Sequence, residues 1–190
     1  MDNKLILVLA CDSKYLIGRD NTLPWSFKED LENFKKTTTS LLERQSVILM
    51  GYNTLVSLNG RRLPNRINVV VSSDAEKVKS LGYKVSTDAK DLNGEFDGII
   101  VFNTVEEFLS LSEIEDTDTF LIGGAILAHH CLEKGYVEEV ILTRIPKDYG
   151  QEKNDVRLNK KLLRQFGKIN RLKIIKTSKG VDLSVYSLKN

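Results

Sequence analysis

Val47-Ile48-Leu49-Met50-Gly51-Tyr52-Asn53-Thr54-Leu55-Val56-Ser57-Leu58 reads as a buried strand that runs straight into a short helix. Four successive apolar residues leave no alternation for a solvent-facing side, so this strand is covered on both faces. Gly51 ends it, and the helix runs from about Asn53 to Leu58. Working outward, the same unit recurs. Leu5 to Cys11 is an apolar run of strand length, followed by a long polar loop from Asp12 to Thr22 with Gly18 and the turn-like pair Asp20-Asn21. Ile67 to Val71 is a strand. Ser73 with Glu76 makes a capping box opening a helix that Gly82 closes. Tyr83 to Val85 is a short strand and Asp88 to Asp97 a polar turn region. Ile99 to Phe102 is a strand, and Thr104 with Glu107 caps a helix over Val105 to Leu111. Phe120 to Ile122 is a strand, Gly123-Gly124 a turn, and Ala125 to Lys134 a helix stopped by Gly135. Val137 to Ile145 is a strand, Gly150 to Asp155 a charged loop, and a short helix lies near Leu162 to Phe166. Leu172 to Thr177 and Val181 to Leu188 form a hairpin about Lys179-Gly180.

Short continuous apolar strands separated by helices predict an α/β fold with a mostly parallel central sheet, to which the closing hairpin adds an antiparallel edge. No repeat or linker interrupts the 190 residues, so a single domain over 1–190 is expected, long enough to bury roughly 70% of its unfolded surface. A net charge of +2, with Lys and Arg dispersed, gives no nucleic-acid footprint. Lys4 followed by Leu5 to Cys11 loosely resembles a lipoprotein signal, but the run reads better as a strand. No stretch reaches the ~20 apolar residues of a membrane span. A cytoplasmic protein is expected. Cys11 and Cys131 sit in apolar runs as buried free thiols. His129 and His130 are adjacent and lack a second cluster, so neither a metal site nor a hydrolytic triad is expected.

The residue that speaks of function lies in Leu23-Pro24-Trp25-Ser26-Phe27-Lys28-Glu29-Asp30-Leu31-Glu32-Asn33-Phe34. Ser26 with Glu29 is a capping box for a helix reaching about Thr37. Phe27, Leu31 and Phe34 share one face, and Asp30 lies on that face, while Glu29, Glu32 and Asn33 point outward. An unpaired buried carboxylate costs several kcal/mol, so Asp30 needs a partner, a proton or a ligand. Either it is a core aspartate satisfied by a backbone N–H or hydroxyl, or it faces a ligand. Three strands also feed helix starts at Gly51, Ser72-Ser73 and Gly123-Gly124. These are ordinary strand–helix punctuation or, taken together, anion sites at the carboxyl edge suited to a phosphate-bearing cofactor.

Taken in order, Ala10 to Asp12, Ile17-Gly18, Leu23-Pro24-Trp25, Asp30-Leu31, Phe34-Lys35, Met50-Gly51 with Thr54, Leu63-Pro64 with Arg66, Ser72-Ser73, Ile122-Gly123-Gly124 and Leu142-Thr143 resemble the dihydrofolate reductase family. The likeness is collinear from residue 5 to about 145; beyond 146 little matches except the closing strands. It implies a three-layer fold and reduction of 7,8-dihydrofolate to tetrahydrofolate with hydride from NADPH, in one-carbon metabolism. NADH is the alternative cofactor, antifolate-type small molecules are expected ligands, and a monomer is expected. Asp30 would hold the pterin N3 and 2-amino edge, assisted by Thr143. Arg66 would clamp the glutamate α-carboxylate; without the resemblance it is a surface loop charge. Leu31, Phe34, Leu58 and Leu63 would line the cleft, with Val8 and Ile122 offering carbonyls beside the pterin. Leu23 and Trp25 would admit the water that protonates N5.

By the same resemblance, Ala10 and Ile17 would hold the nicotinamide carboxamide. The loop from Gly18 through Asn21 and Thr22 to Trp25 would close over the ring. The helix starts at Asn53-Thr54 and Gly124-Ala125 would take the pyrophosphate, with Gly51, Gly123, Ile126 and Leu127 also cofactor-binding. Ser72 and Ser73 would face the ribose phosphate. No metal is implied. The chain departs from the family at Tyr52 and Ile126, where basic residues often hold the 2′-phosphate; Arg61, Arg62 and Lys77 are candidate substitutes. Two other readings stay open: a pyrimidine reductase of riboflavin synthesis on the same fold, and a folate- or nucleotide-binding homologue without turnover.

Overall fold

In the computed structural model, which describes residues 4–39 and 45–189, the apolar runs form the centre of the molecule. In chain order the elements are β1 (Leu5–Cys11), β2 (Leu16–Arg19), α1 (Lys28–Thr38), β3 (Val47–Gly51), α2 (Tyr52–Ser57), β4 (Ile67–Val71), α3 (Ala75–Lys79) and β5 (Val85–Ser86). There follow β6 (Ile99–Phe102), α4 (Val105–Leu109), β7 (Thr119–Leu121), α5 (Ala125–Glu133), β8 (Val137–Arg144), β9 (Asp155–Arg157), β10 (Lys168–Ile175) and β11 (Leu183–Lys189). The described residues form a nine-stranded sheet in the order β10-β11-β8-β1-β7-β3-β4-β6-β5. Every pairing from β8 to β5 is parallel, and β11 joins β8 antiparallel, as does β10 to β11. The expected α/β architecture, with its antiparallel closing edge, is the one observed.

Both sheet faces are covered. Val47, Leu49 and Val69 pack with Val105, Phe108, Ala128 and Leu132 of α4 and α5. Their strand neighbours Ile48, Met50 and Val70 point the other way, onto Leu55 of α2 and Val78 of α3. This two-sided burial explains why β3 has no polar alternation, and each fully buried Ile, Leu or Met contributes about 1.5–3 kcal/mol.

Local expectations failed where distant segments intervene. The Ser26–Glu29 capping box does not form: Phe27 is the N-cap residue, with no side-chain cap bond. Glu29 instead accepts the Ser178 N–H at 2.7 Å, and the Ser26 carbonyl accepts from Lys179 Nζ at 2.6 Å, both from the closing hairpin. The helix that Ser73 was expected to cap is capped by Asp74, whose carboxylate sits one residue nearer and accepts the Lys77 N–H at 2.9 Å. The Thr104 cap does form, Thr104 Oγ1 accepting the Glu107 N–H at 3.1 Å, while the Glu107 carboxylate reaches one residue further back and accepts the Asn103 N–H at 3.0 Å. The polar loop 12–22 contains β2, and the charged loop 150–155 runs into β9, which pairs with β2 antiparallel. Arg19 at the end of β2 holds Asp155 and Glu152 at 2.6 Å each, and Arg157 holds Asp155 at 2.8 Å. Within the expected turn region 88–97, Ala89–Asn93 coils into a 3-10 helix around fully buried Leu92. The closing strands begin earlier than expected, at Lys168, and their turn is tied by Gly180 N–H to the Thr177 carbonyl.

Candidate active site

Asp30 projects from α1 with only 8% of its surface exposed. Burial pushes its carboxyl up from the ordinary range, and the Thr143 hydroxyl bonded to it works in the opposite direction. Thr143 is itself buried, near the carboxyl end of β8, in register between Ala10 of β1 and Val185 of β11. The acid is therefore turned away from water and, among the described residues, unmatched by a cation. Its helix face is set one position differently from the 27–31–34 stripe. Phe27, Asp30 and Asn33 are buried and Phe34 half-buried, while Leu31 is 57% exposed. Asn33, expected outside, is inside because the helix leans its 27–30–33 line onto the sheet, which leaves Leu31 on the rim.

Beside Asp30 lies an apolar wall of incompletely buried side chains. Phe34, Leu58, Leu63 and Ile122 are all partly exposed and pack against the Val8, Met50, Leu55 and Phe120 cluster. A core residue with a bare flank on the carboxyl edge of a parallel sheet is a surface open to a flat apolar ligand.

Arg66 lies at the far end of this wall and is 3% exposed, so it is no surface charge. Its Nε–H donates to the Pro64 carbonyl at 3.1 Å and Nη1–H to Thr38 Oγ1 at 2.8 Å. Among the described residues no carboxylate pairs with it. Desolvation lowers its pKa, which marks a guanidinium whose counter-charge is not supplied by those residues.

Three supporting residues escaped the sequence reading. Thr38, fully buried, anchors Arg66 from the end of α1. Asn68 of β4 takes Leu63 N–H on Oδ1 and gives Nδ2–H to the Leu63 and Arg66 carbonyls, bracing the 63–66 loop. A lone Asn in Ile67-Asn68-Val69-Val70-Val71 was the available signal. Asp12, also fully buried, accepts the N–H groups of Lys14, Leu16 and Tyr149 at 2.7, 2.8 and 3.1 Å. It thereby fixes the start of the loop that carries Ile17, Gly18, Asn21 and Thr22.

That loop turns sharply at Asp20-Asn21, both at left-handed φ (49° and 57°), with reciprocal bonds between Arg19 and Thr22 at 2.8 Å. It then returns through half-exposed Leu23 to Trp25, which is 7% exposed and tilted against Tyr149 at 5.3 Å between centroids. The Trp25 indole Nε1 is buried and has no hydrogen-bond partner among the described residues, so this donor is available to a water or ligand.

On the other side of β1 the backbone opens into a cradle. Gly51 N–H donates to the Gly123 carbonyl at 2.8 Å, and the Gly123–Gly124 peptide is cis. A Cβ on Gly51 would stand 3.4 Å from Gly124 N, and one on Gly123 3.3 Å from Thr54 Oγ1. α2 and α5 start here with no side-chain cap and no acid in the first turn, whereas α3 and α4 are capped and acidic. Unclaimed N–H groups at the α5 start, beside glycines whose missing Cβ atoms leave the backbone open to close approach, suit the pyrophosphate of a nicotinamide dinucleotide. Asn53, Thr54, Ala125 and half-buried Leu127 belong to these first turns, but Ile126 is 85% exposed. Ser72 and Ser73 follow β4, whose last residue Val71 is in register with Gly51.

The two histidines have structural partners. His130 Nε2 lies 2.7 Å from Glu106 Oε1, and His129 Nε2 accepts the Asn159 N–H at 3.1 Å. Burial pushes the thiols of Cys11 and Cys131 up to about 12, so neither is a nucleophile. Among the described residues no helix is long and apolar enough to cross a membrane.

Comparison with known proteins bears on this arrangement directly. The family described as dihydrofolate reductase matches residues 4–188. The bifunctional dihydrofolate reductase-thymidylate synthase of Paramecium tetraurelia is 32% identical over 97% of this chain, which spans about a third (34%) of that protein. The dihydrofolate reductases of Bacillus subtilis and Pneumocystis carinii are each 32% identical, over 75% and 76% of this chain and 69% of theirs. The match reaches well past residue 146, so the segment through β9, where the sequence shows little likeness ahead of the closing strands, is included. A buried acid and a buried arginine at either end of an apolar wall, next to a glycine cradle, thus occur in a chain that belongs to the dihydrofolate reductase family.

Proposed function

We infer that this chain reduces 7,8-dihydrofolate to 5,6,7,8-tetrahydrofolate with NADPH, as a single domain over residues 1–190 that acts as a cytoplasmic monomer. The observation that carries the reading is Asp30, a buried acid bonded to Thr143 at the head of a half-buried apolar wall. A carboxylate there accepts two parallel bonds, from the pterin N3–H and 2-amino group, and the Thr143 hydroxyl fixes its orientation. The Phe34, Leu58, Leu63 and Ile122 wall takes the aminobenzoyl group, and Leu31 overhangs it from the rim. Arg66 takes the glutamate α-carboxylate on its unused guanidinium edge.

The nicotinamide cofactor supplies the hydride. The chain supplies position: Ala10 and Ile17 offer backbone groups to the carboxamide, and the Gly18–Trp25 loop covers the ring and keeps bulk water out. The buried Trp25 N–H, without a partner among the described residues, supports a single ordered water near Leu23 as proton carrier to N5. Asp30 orients and polarises the pterin rather than handing over a proton directly. The cradle at Gly51, Gly123 and Gly124 supports the dinucleotide. Arg66 and Asp30 disfavour a riboflavin-pathway pyrimidine, which has neither a glutamate tail nor the pterin edge.

Following NADPH and dihydrofolate absorbance together tests the reading. Turnover at equal rates of loss of both supports it. Tight methotrexate binding without turnover would instead favour the non-catalytic homologue.

A further inference from the structure

Ile126, exposed at the start of α5, brings no charge to the cradle, so a cation for the dinucleotide's phosphates comes from a neighbouring element. Three basic residues are candidates, and the structure separates them. Arg62 is paired with Asp97. Arg61 is exposed in the turn after α2, its N–H bonded to the Leu58 carbonyl. Lys77 is different: its ammonium stands 4.3 Å over the centre of the Tyr52 ring. Tyr52 follows Gly51 and Ser72 follows Val71, and Gly51 and Val71 are register partners on β3 and β4. The ring, the Lys77 ammonium and the Ser72-Ser73 hydroxyls therefore share one corner of the carboxyl edge. The Asp74 carboxylate accepts the Lys77 backbone N–H, and Glu76 sits 3.6 Å from Lys79. Both acids thus have partners other than the Lys77 ammonium.

We propose that Lys77, seated on the Tyr52 ring, is the residue by which this chain reads the 2′-phosphate of NADPH, with Ser73 as hydroxyl donor, the Ser72 hydroxyl being held by the Asp74 backbone. Tyr52 is then a platform for a base on α3. Stacking fixes the lysine at a small entropic cost and leaves its N–H donors turned away from the ring, free for a phosphomonoester dianion. The proposal deepens the cofactor reading above and rests on it.

The test measures binding of adenosine 2′,5′-bisphosphate and of 5′-AMP by calorimetry, without turnover, to the unaltered protein and to Lys77→Gln, Lys77→Arg, Tyr52→Leu and Arg62→Gln. Lys77 is exposed, so its substitution leaves the fold intact. Loss of one charge-assisted contact predicts about a tenfold weaker bisphosphate affinity in Lys77→Gln, with 5′-AMP unchanged. Lys77→Arg retains the affinity, Tyr52→Leu loses part of it, and Arg62→Gln loses none. Unaltered bisphosphate affinity in Lys77→Gln, or a loss carried by Arg62→Gln instead, overturns the assignment while leaving dinucleotide binding in place. An unaltered protein that binds neither nucleotide overturns the assignment together with the cofactor reading.

Discussion

Replacing Arg66 by leucine separates the proposed clamp from its structural surroundings. Of the five guanidinium donors, Nε–H and one Nη1–H are engaged, by Pro64 and Thr38. The remaining donors form the planar edge that two carboxylate oxygens match. Each charge-assisted bond contributes about 1.5–3 kcal/mol, so a bidentate pair reaches about 3–6 kcal/mol. The glutamate tail leaves the cleft toward water, which favours the lower end, so kcat/KM for dihydrofolate should fall about a hundredfold. The fold should not suffer. Thr38 Oγ1 still donates to the Phe34 carbonyl at 2.8 Å, and Pro64 is exposed, so leucine leaves no buried polar group without a partner. Removing a desolvated cation should keep the melting temperature level or raise it. The decisive assay compares dihydrofolate with dihydropteroate, which keeps the ring and aminobenzoyl group but has no glutamate. The substitution should cost the first substrate heavily and the second almost nothing. Equal losses for both substrates, or no loss for either, would refute the clamp.

The other predictions concern the acid, the loop and the cradle. Asp30→Asn should lower kcat/KM near neutral pH by about 10²–10³-fold while sparing NADPH affinity, measured by stopped-flow hydride transfer and nucleotide titration. Because burial raises the folded-state pKa of Asp30, the native state binds the extra proton, and stability falls as pH rises through that pKa. The asparagine variant should therefore melt higher at pH 7 and lose the advantage as pH is lowered, as read by thermal melts across pH. Asp155 is held down at about 2, first by its bond from Arg19, so the β2–β9 clasp is fully present above the ordinary carboxylate range and fails only as pH falls toward 2. Asp155→Asn should speed tryptic cleavage at Lys14 and Arg19 and raise KM for the cofactor; unchanged digestion would deny the clasp a role in ordering the loop. Gly123→Ala, at φ +122°, should destabilise by about 1–3 kcal/mol in denaturant titration. Gly51→Ala, at φ −84°, should act chiefly on dinucleotide binding.

What was readable in the sequence, and what was not, divides by the range of the interaction that decides it. β1, β3, β4, β6 and β7 were legible because a residue buried on both faces must be apolar wherever its partners come from. The Thr104–Glu107 pair was legible because both groups serve the helix they start. The Ser26–Glu29 pair has the same spelling and failed, since the hairpin turn at 177–180 brought competing donors to the same two residues. β2 and β9 lie some 135 residues apart and are only four and three residues long; what pairs them is Arg19 meeting Asp155, a contact no window of sequence contains.

The site obeys the same division. Asp30 announced itself because a charge on an apolar face is costly wherever that face lands, and the error of one position along α1, exchanging Leu31 for Asn33, left the acid inside. Arg66 gave no such signal, because its burial is made by Thr38 from another element and by Asn68 folding the loop back over β4. Only the resemblance separated it from an ordinary surface charge. Lys77 lies further still from local reading, since Tyr52 looks like a lost cation until α3 is seen to lay one on its ring. A substitution that removes a charge from a motif is therefore weak ground for removing the function, when the next element can return that charge within about 4 Å of the same place.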